Sequence, residues 1–264
     1  MNRALVLLPT LITIAAIALS LFHGPIAQLP DYHGFADRSS LLGMPHAANV
    51  LSNLPFFAIG LWGWLRLRKP ASAIAGRHGY RLFLLALMLT AAGSGFYHLA
   101  PDNDRLLWDR LPIALACAGL LAAVRAETRP GADGLANTLW LAMLAVASVG
   151  WWYVTESRGH GDLRPYLLLQ ILPLVLIPLW QAVHAAPARD RAAFGIAIAL
   201  YVAAKAAELA DHQILAALGW ISGHTLKHLL AAAAAAVLVH RLVAPSPNRQ
   251  SVGVTGGHNG RALT

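Results

Sequence analysis

Ser222-Gly-His-Thr-Leu-Lys-His228 opens an apolar run that continues from Leu229 to Val239 without a polar residue. A polar head on an unbroken apolar body is the pattern of a helix entering a bilayer, where about 20 residues cross a core of about 30 Å. On such a helix His224 and His228, four apart, share one face with Cβ atoms roughly 5–6 Å apart. That spacing suits two imidazoles closing on one metal ion, and Lys227 lies beside them. Ionisable groups at the mouth of a membrane helix are costly and mark a functional site by default. The alternative is that interfacial histidines snorkel to water.

Outward from this helix the same apolar texture recurs. The 264 residues are 57% hydrophobic and only 12% charged, with a mean hydropathy of +0.55, whereas soluble domains carry about 25% charged residues. Apolar stretches cover roughly 4–22, 45–65, 81–99, 109–125, 135–154, 165–184, 192–211 and 221–243. The expected fold is therefore an all-α polytopic membrane protein, a seven-helix core behind one extra N-terminal transmembrane helix. Residues 1–24 are read as an uncleaved anchor, because no A-x-A cleavage site follows the first apolar stretch. An extracytoplasmic loop (25–44), the membrane domain (45–243) and a flexible tail (244–264) complete the chain.

The net charge of +8 is a topology signal and not a nucleic-acid footprint, because the basic residues sit in short loops. One side collects Arg3, Arg66, Arg68, Lys69, Arg77, Arg81, Arg125, Arg129, Arg189, Arg191, Arg241, Arg249 and Arg261. The other has only Arg38, Arg105, Arg110, Arg158 and Arg164. The positive-inside rule then puts both termini in the cytoplasm. Cys117 is the single cysteine, which rules out an internal disulfide framework or a thiolate-built metal site. Alanine-rich composition with one cysteine points to a GC-rich bacterium, hence to its inner membrane.

This orientation gathers the unusual polar residues at the non-cytoplasmic ends of their helices. His98 ends the third helix, Asp109 begins the fourth, and His224 and His228 begin the eighth. Three neutral imidazoles are the set that leaves a zinc ion one open position for water. Asp109 is placed to accept that water's proton, with a helix cap as its bland alternative. Ser94, one turn below His98, can donate to a developing oxyanion. Asn49, Ser52 and Asn53 in the second helix are read as interhelical hydrogen bonders that fix packing. Lys205, Glu208 and Lys227 are read as an ion-paired group supporting the histidines.

These stretches carry a resemblance. Asn49-Val-Leu-Ser-Asn53, Gly93-Ser-Gly-Phe-Tyr-His98, Leu107-Trp-Asp-Arg-Leu-Pro112 and His224-x3-His228 together resemble the alkaline ceramidases. These belong to a superfamily with the progestin and adipoQ receptors and the GPI-remodelling proteins. The likeness covers about residues 31–243. It implies a zinc amidase that takes ceramide, or a related lipid amide, from the bilayer and releases a long-chain base and a fatty acid. His98, His224 and His228 match the zinc ligands, Asp109 the acid on the zinc water, and Ser94 the oxyanion serine. His46 stands where the family carries a calcium-binding glutamate, and the loop before it offers only Asp31 and Asp37, so calcium is not expected. That loop is still able to cover the mouth of the site. Three alternatives stay open: a receptor or a metal or proton transporter without hydrolysis, an intramembrane serine protease built on Ser94 and His98, and a haem-binding electron carrier.

Overall fold

The structure is a computed structural model that describes residues 3–67, 74–129 and 134–244. The tail from Pro245 onward lies outside the described residues, as do Arg68 and Lys69. The elements run α1 (Arg3–His23), β1 (Ser40–Leu41), β2 (Met44–Pro45), α2 (Ala47–Leu51), α3 (Leu54–Arg66), α4 (Arg77–Leu99) and α5 (Asn103–Thr128). They continue α6 (Gly134–Ser157), α7 (Arg164–Val183), α8 (Ala188–Leu209), α9 (Asp211–Leu218) and α10 (Gly223–Val243). Seven of them, α1, α4 to α8 and α10, are long and apolar enough to cross a membrane. The chain is an all-α polytopic membrane protein.

Two expected helices are corrected. The stretch 45–65 is not one helix: it breaks at Ser52 and Asn53 into α2 and α3. Pro55 is the cause, since it has no N–H for the Leu51 carbonyl and its ring crowds that carbonyl. The two pieces still make about 30 Å of helix at about 1.5 Å per residue. The expected helix 109–125 begins earlier, at Asn103, so Asp109 does not cap it. The cap is Asp102, whose side chain accepts from the Arg105 N–H at 2.7 Å, and Pro112 falls inside α5. Between the expected stretches 192–211 and 221–243 the chain forms α9, which closes at Gly219 in the left-handed conformation (φ 76°).

Polar contacts tie the two ends of the bundle and show the helices alternating in direction. At one end Arg241 of α10, counted above as a loop charge, is buried. It bonds Glu127 at the end of α5 at 2.9 Å, Asp190 at the start of α8 at 2.8 Å, and Tyr80 at the start of α4. At the other end Asp162 accepts from the Ile26 N–H and from Trp151 at 2.9 Å, while Arg164 reaches the last carbonyls of α1, Ser20 and Leu21. The Arg164 guanidinium beside Asp162 holds that carboxyl well below the usual carboxylate range. This clamp docks α1 on α7, outside the bundle built by the other helices.

Close helix contacts position the site. A Cβ on Gly93 would lie 2.0 Å from the Trp108 carbonyl oxygen. That carbonyl is the one Pro112 leaves without its intrahelical N–H, so a bare glycine faces it. The contact sets α4 against α5 at the level of Ser94, His98 and Asp109. A second contact seats α10 against α8: a Cβ on Gly223 would lie 2.1 Å from the Ala207 carbonyl.

Candidate metal centre

α10 starts at Ser222, whose hydroxyl accepts from the Thr225 N–H at 3.0 Å. Its free first-turn amides also meet Asp211, which accepts from the His224 N–H at 2.7 Å. This anchored first turn presents His224, Lys227 and His228, and the last turn of α4 presents His98.

The three imidazoles converge. All are buried, and their candidate ligand atoms lie within 4.8 Å of one another. The Nε2 atoms of His98 and His224 are 3.2 Å apart. Metal–nitrogen bonds of about 2.0–2.1 Å in a tetrahedral site put two nitrogens about 3.3 Å apart, so this pair already has ligand spacing. The third imidazole has its tautomer fixed. Ser52 Oγ donates to the Asn49 carbonyl at 3.0 Å, so it accepts from His228 Nδ1–H at 2.8 Å, which leaves the His228 Nε2 lone pair free. A hydrogen bond on the far nitrogen is the usual orienting device of a ligating histidine.

The break in the second helix makes this bond possible. The turn at Ser52 and Asn53 aims the Ser52 hydroxyl at His228, while Asn53 Nδ2 donates to the Asn49 carbonyl at 2.8 Å. Asn49 Oδ1 accepts from Thr225 Oγ1 at 2.7 Å, tying α2 to α10. Asn49 and Ser52 make the interhelical bonds expected of them, whereas Asn53 bonds within its own stretch.

Asp109 and Ser94 are buried near one another, with the Ser94 hydroxyl within reach of the Asp109 carboxylate. Both line a cavity of about 300 Å³ that His228, Lys227 and Glu208 also border. The cavity continues away from the histidines between apolar side chains, among them Phe83, Leu87, Ile177 and Phe194. Glu208 pairs with both lysines. It accepts from Lys227 Nζ at 2.7 Å and contacts Lys205, while Lys227 Nζ lies 3.3 Å from His224 Nε2. The carboxylate thus neutralises an ammonium that would otherwise repel a cation held by His224.

The loop before β1 covers the histidines. Phe35 packs edge-on against His98 and His224, with ring centroids 4.6 and 4.4 Å away. Asp211, bonded to the His224 amide, also accepts from the Ala36 N–H at 2.8 Å. His33 bonds Tyr97 at 2.8 Å. Asp37 accepts the Ser39 and Asn49 amides, and its carbonyl meets His46 Nδ1 at 2.6 Å.

Sequence reasoning missed Phe35, Asp211 and Arg110 as parts of this region. A lone loop phenylalanine carries no signal. Asp211 is separated from His224 by a helix that periodicity did not reveal. Arg110 was legible, because the intramembrane-charge argument applied to Lys227 applies equally to it, yet it was counted among the loop charges.

No family model matches the chain, and no curated protein matches it. The site is therefore read from its own geometry. A Ser–His dyad has no support there: among the described residues Ser94 makes no hydrogen bond to His98, whose Nδ1 has no partner. An axial pair of haem ligands is excluded by packing, since the imidazole centroids stand only 4.8–5.0 Å apart.

Proposed function

We propose that this protein is a zinc-dependent intramembrane amidase that hydrolyses ceramide or a related lipid amide to a long-chain amine and a fatty acid. The observation that carries the reading is the convergence of three buried imidazoles, one of which, His228, borders the same apolar cavity as Asp109 and Ser94. The donor set fits zinc: three neutral nitrogens, one with its tautomer fixed by Ser52, and no thiolate or carboxylate among them. When bound, zinc supplies Lewis-acid polarisation of the amide carbonyl and lowers the pKa of a water to about 7.

The chain's own residues supply the rest. The apolar cavity takes an acyl chain from the bilayer and sets its amide at the level of Asp109. The Asp109 carboxylate accepts a proton from the attacking water and passes it to the leaving nitrogen as the C–N bond breaks. Ser94 donates to the developing oxyanion. Phe35 and its loop keep bulk water off the histidines. With the basic loops inside, the site faces the non-cytoplasmic side of a bacterial inner membrane and both termini are cytoplasmic.

The test is fatty-acid release from a long-chain ceramide by purified protein in lipid nanodiscs. Activity should vanish with chelator and return with zinc. Asp109→Asn should keep the metal and lose about 10²–10⁴-fold in rate. Turnover indifferent to chelator, or near-normal turnover in Asp109→Asn, would refute the mechanism.

A further inference from the structure

Arg110 follows Asp109 on α5 and is buried, 2% exposed. Its guanidinium is walled by three aromatic rings, with centroids at 4.0 Å (Trp152), 4.9 Å (Tyr32) and 5.4 Å (Tyr166). Among the described residues no carboxylate pairs with it, and its Nε and Nη1 have no hydrogen-bond partner. The indole Nε1 of Trp152 is likewise buried without one. A guanidinium cannot shed its proton, and a buried charge is normally paired. Ring faces attract the cation but accept none of its in-plane N–H groups. What this cluster lacks is an acceptor.

Arg110 also lines the cavity, together with Tyr32 and Tyr166. Its charged neighbours there are Lys205, Lys227, Glu208 and Asp109. Three cations face two carboxylates, so the cavity carries an uncompensated positive charge before any metal binds. Glu208 is committed to the two lysines, and Lys205 is half exposed to solvent, so among the described residues Arg110 is the buried cation of this cavity without an ion-pair partner. A neutral ceramide would leave it unmet. A carboxylate would meet it with the paired, in-plane geometry a guanidinium favours.

We propose that Arg110 is a specificity-determining residue that receives a carboxylate on the amine half of the substrate. The substrate class is then acidic lipid amides, of which long-chain N-acyl amino acids are the simplest. In these the carboxylate is one carbon from the amide nitrogen, and Asp109 and Arg110 line the same cavity. The inference rests on the amidase reading. The reaction balances as before: water's oxygen joins the acyl carbon, the C–N bond breaks, and water's proton goes to the nitrogen, giving a fatty acid and an amino acid.

The test is equilibrium binding of radiolabelled N-palmitoylglycine, N-palmitoylethanolamine and palmitate to the full chain in nanodiscs, with metal removed. N-palmitoylglycine should bind about 10–100-fold more tightly than its neutral ethanolamine counterpart, the range for a hydrogen-bonded charged group. Arg110→Gln should erase that preference, and Arg110→Lys, which keeps the charge within the aromatic wall, should retain part of it. Equal affinity of the two amides in the wild type overturns the proposal, whatever the variants do. So does a preference that survives in Arg110→Gln. Palmitate binding as tight and as Arg110-dependent as that of N-palmitoylglycine would assign the cation to the product acid and overturn the substrate class. Because binding is read without metal, a chain that fails to hydrolyse yet keeps the anionic preference removes the amidase reading alone.

Discussion

His228 shows how one hydrogen bond prepares a ligand. Its Nδ1–H is committed to Ser52, so its Nε2 lone pair points at the other imidazoles without a choice of tautomer. Ser52→Ala removes the acceptor and frees the ring, and buried partners of this kind are worth about 10–100-fold in metal affinity. We expect zinc affinity to fall by that factor, measured by competition with a chromophoric chelator, and the buried Nδ1–H left without an acceptor to cost about 1–3 kcal/mol of stability. An unchanged affinity would show that the bond does not orient the ligand. The sequence made the ligands legible because chemistry concentrates in few residue types: histidine, aspartate and lysine are rare in an apolar helix. Arg110 was less legible, because a residue close to a helix start reads as a loop charge until packing buries it.

At the scale of elements, backbone chemistry decides where side chains meet. Pro112 leaves the Trp108 carbonyl without its helical partner, and Gly93 gives that carbonyl a place against α4. Gly93→Ala tests the contact. Helix propensity alone favours alanine by about 1 kcal/mol, but a methyl 2.0 Å from a backbone oxygen cannot be absorbed by a side-chain rotation. Overpacking of this kind costs about 1–3 kcal/mol, so we expect the variant to melt lower than the wild type. Activity should fall further, because Asp109 is displaced from Ser94 and His98. A variant as stable and active as the wild type would contradict the role given to this approach. Hydropathy located the long helices to within a few residues but missed the break at Ser52 and the early start of α5. Both misses have one origin: proline and polar caps act on the backbone, whereas hydropathy reads side chains alone.

For the whole molecule, the alternation of helices brings residues from both halves of the chain to one end, and under the proposed function the positive-inside rule sets that end outside the cytoplasm. The orientation is testable with single cysteines at exposed positions. Leu42→Cys, at the hairpin between β1 and β2 where the residue is fully exposed, should react with an impermeant thiol reagent in intact cells. Ala188→Cys, at the start of α8, should react only after lysis, and the reverse pattern would invert the topology. The all-α membrane architecture was legible from apolar length. The loop's cover over the site was legible as well, but its contacts through Phe35 and Asp211 were not, because they arise only when the loop folds back across the bundle. The central claim is that His98, His224 and His228 form one metal centre, and elemental analysis of purified, zinc-reconstituted protein tests it most directly. The account predicts about one zinc per chain, as three imidazoles closing on a single ion require, and none in the His224→Ala/His228→Ala double variant. Wild-type protein that takes up no zinc, or a double variant that keeps a full equivalent, would contradict it.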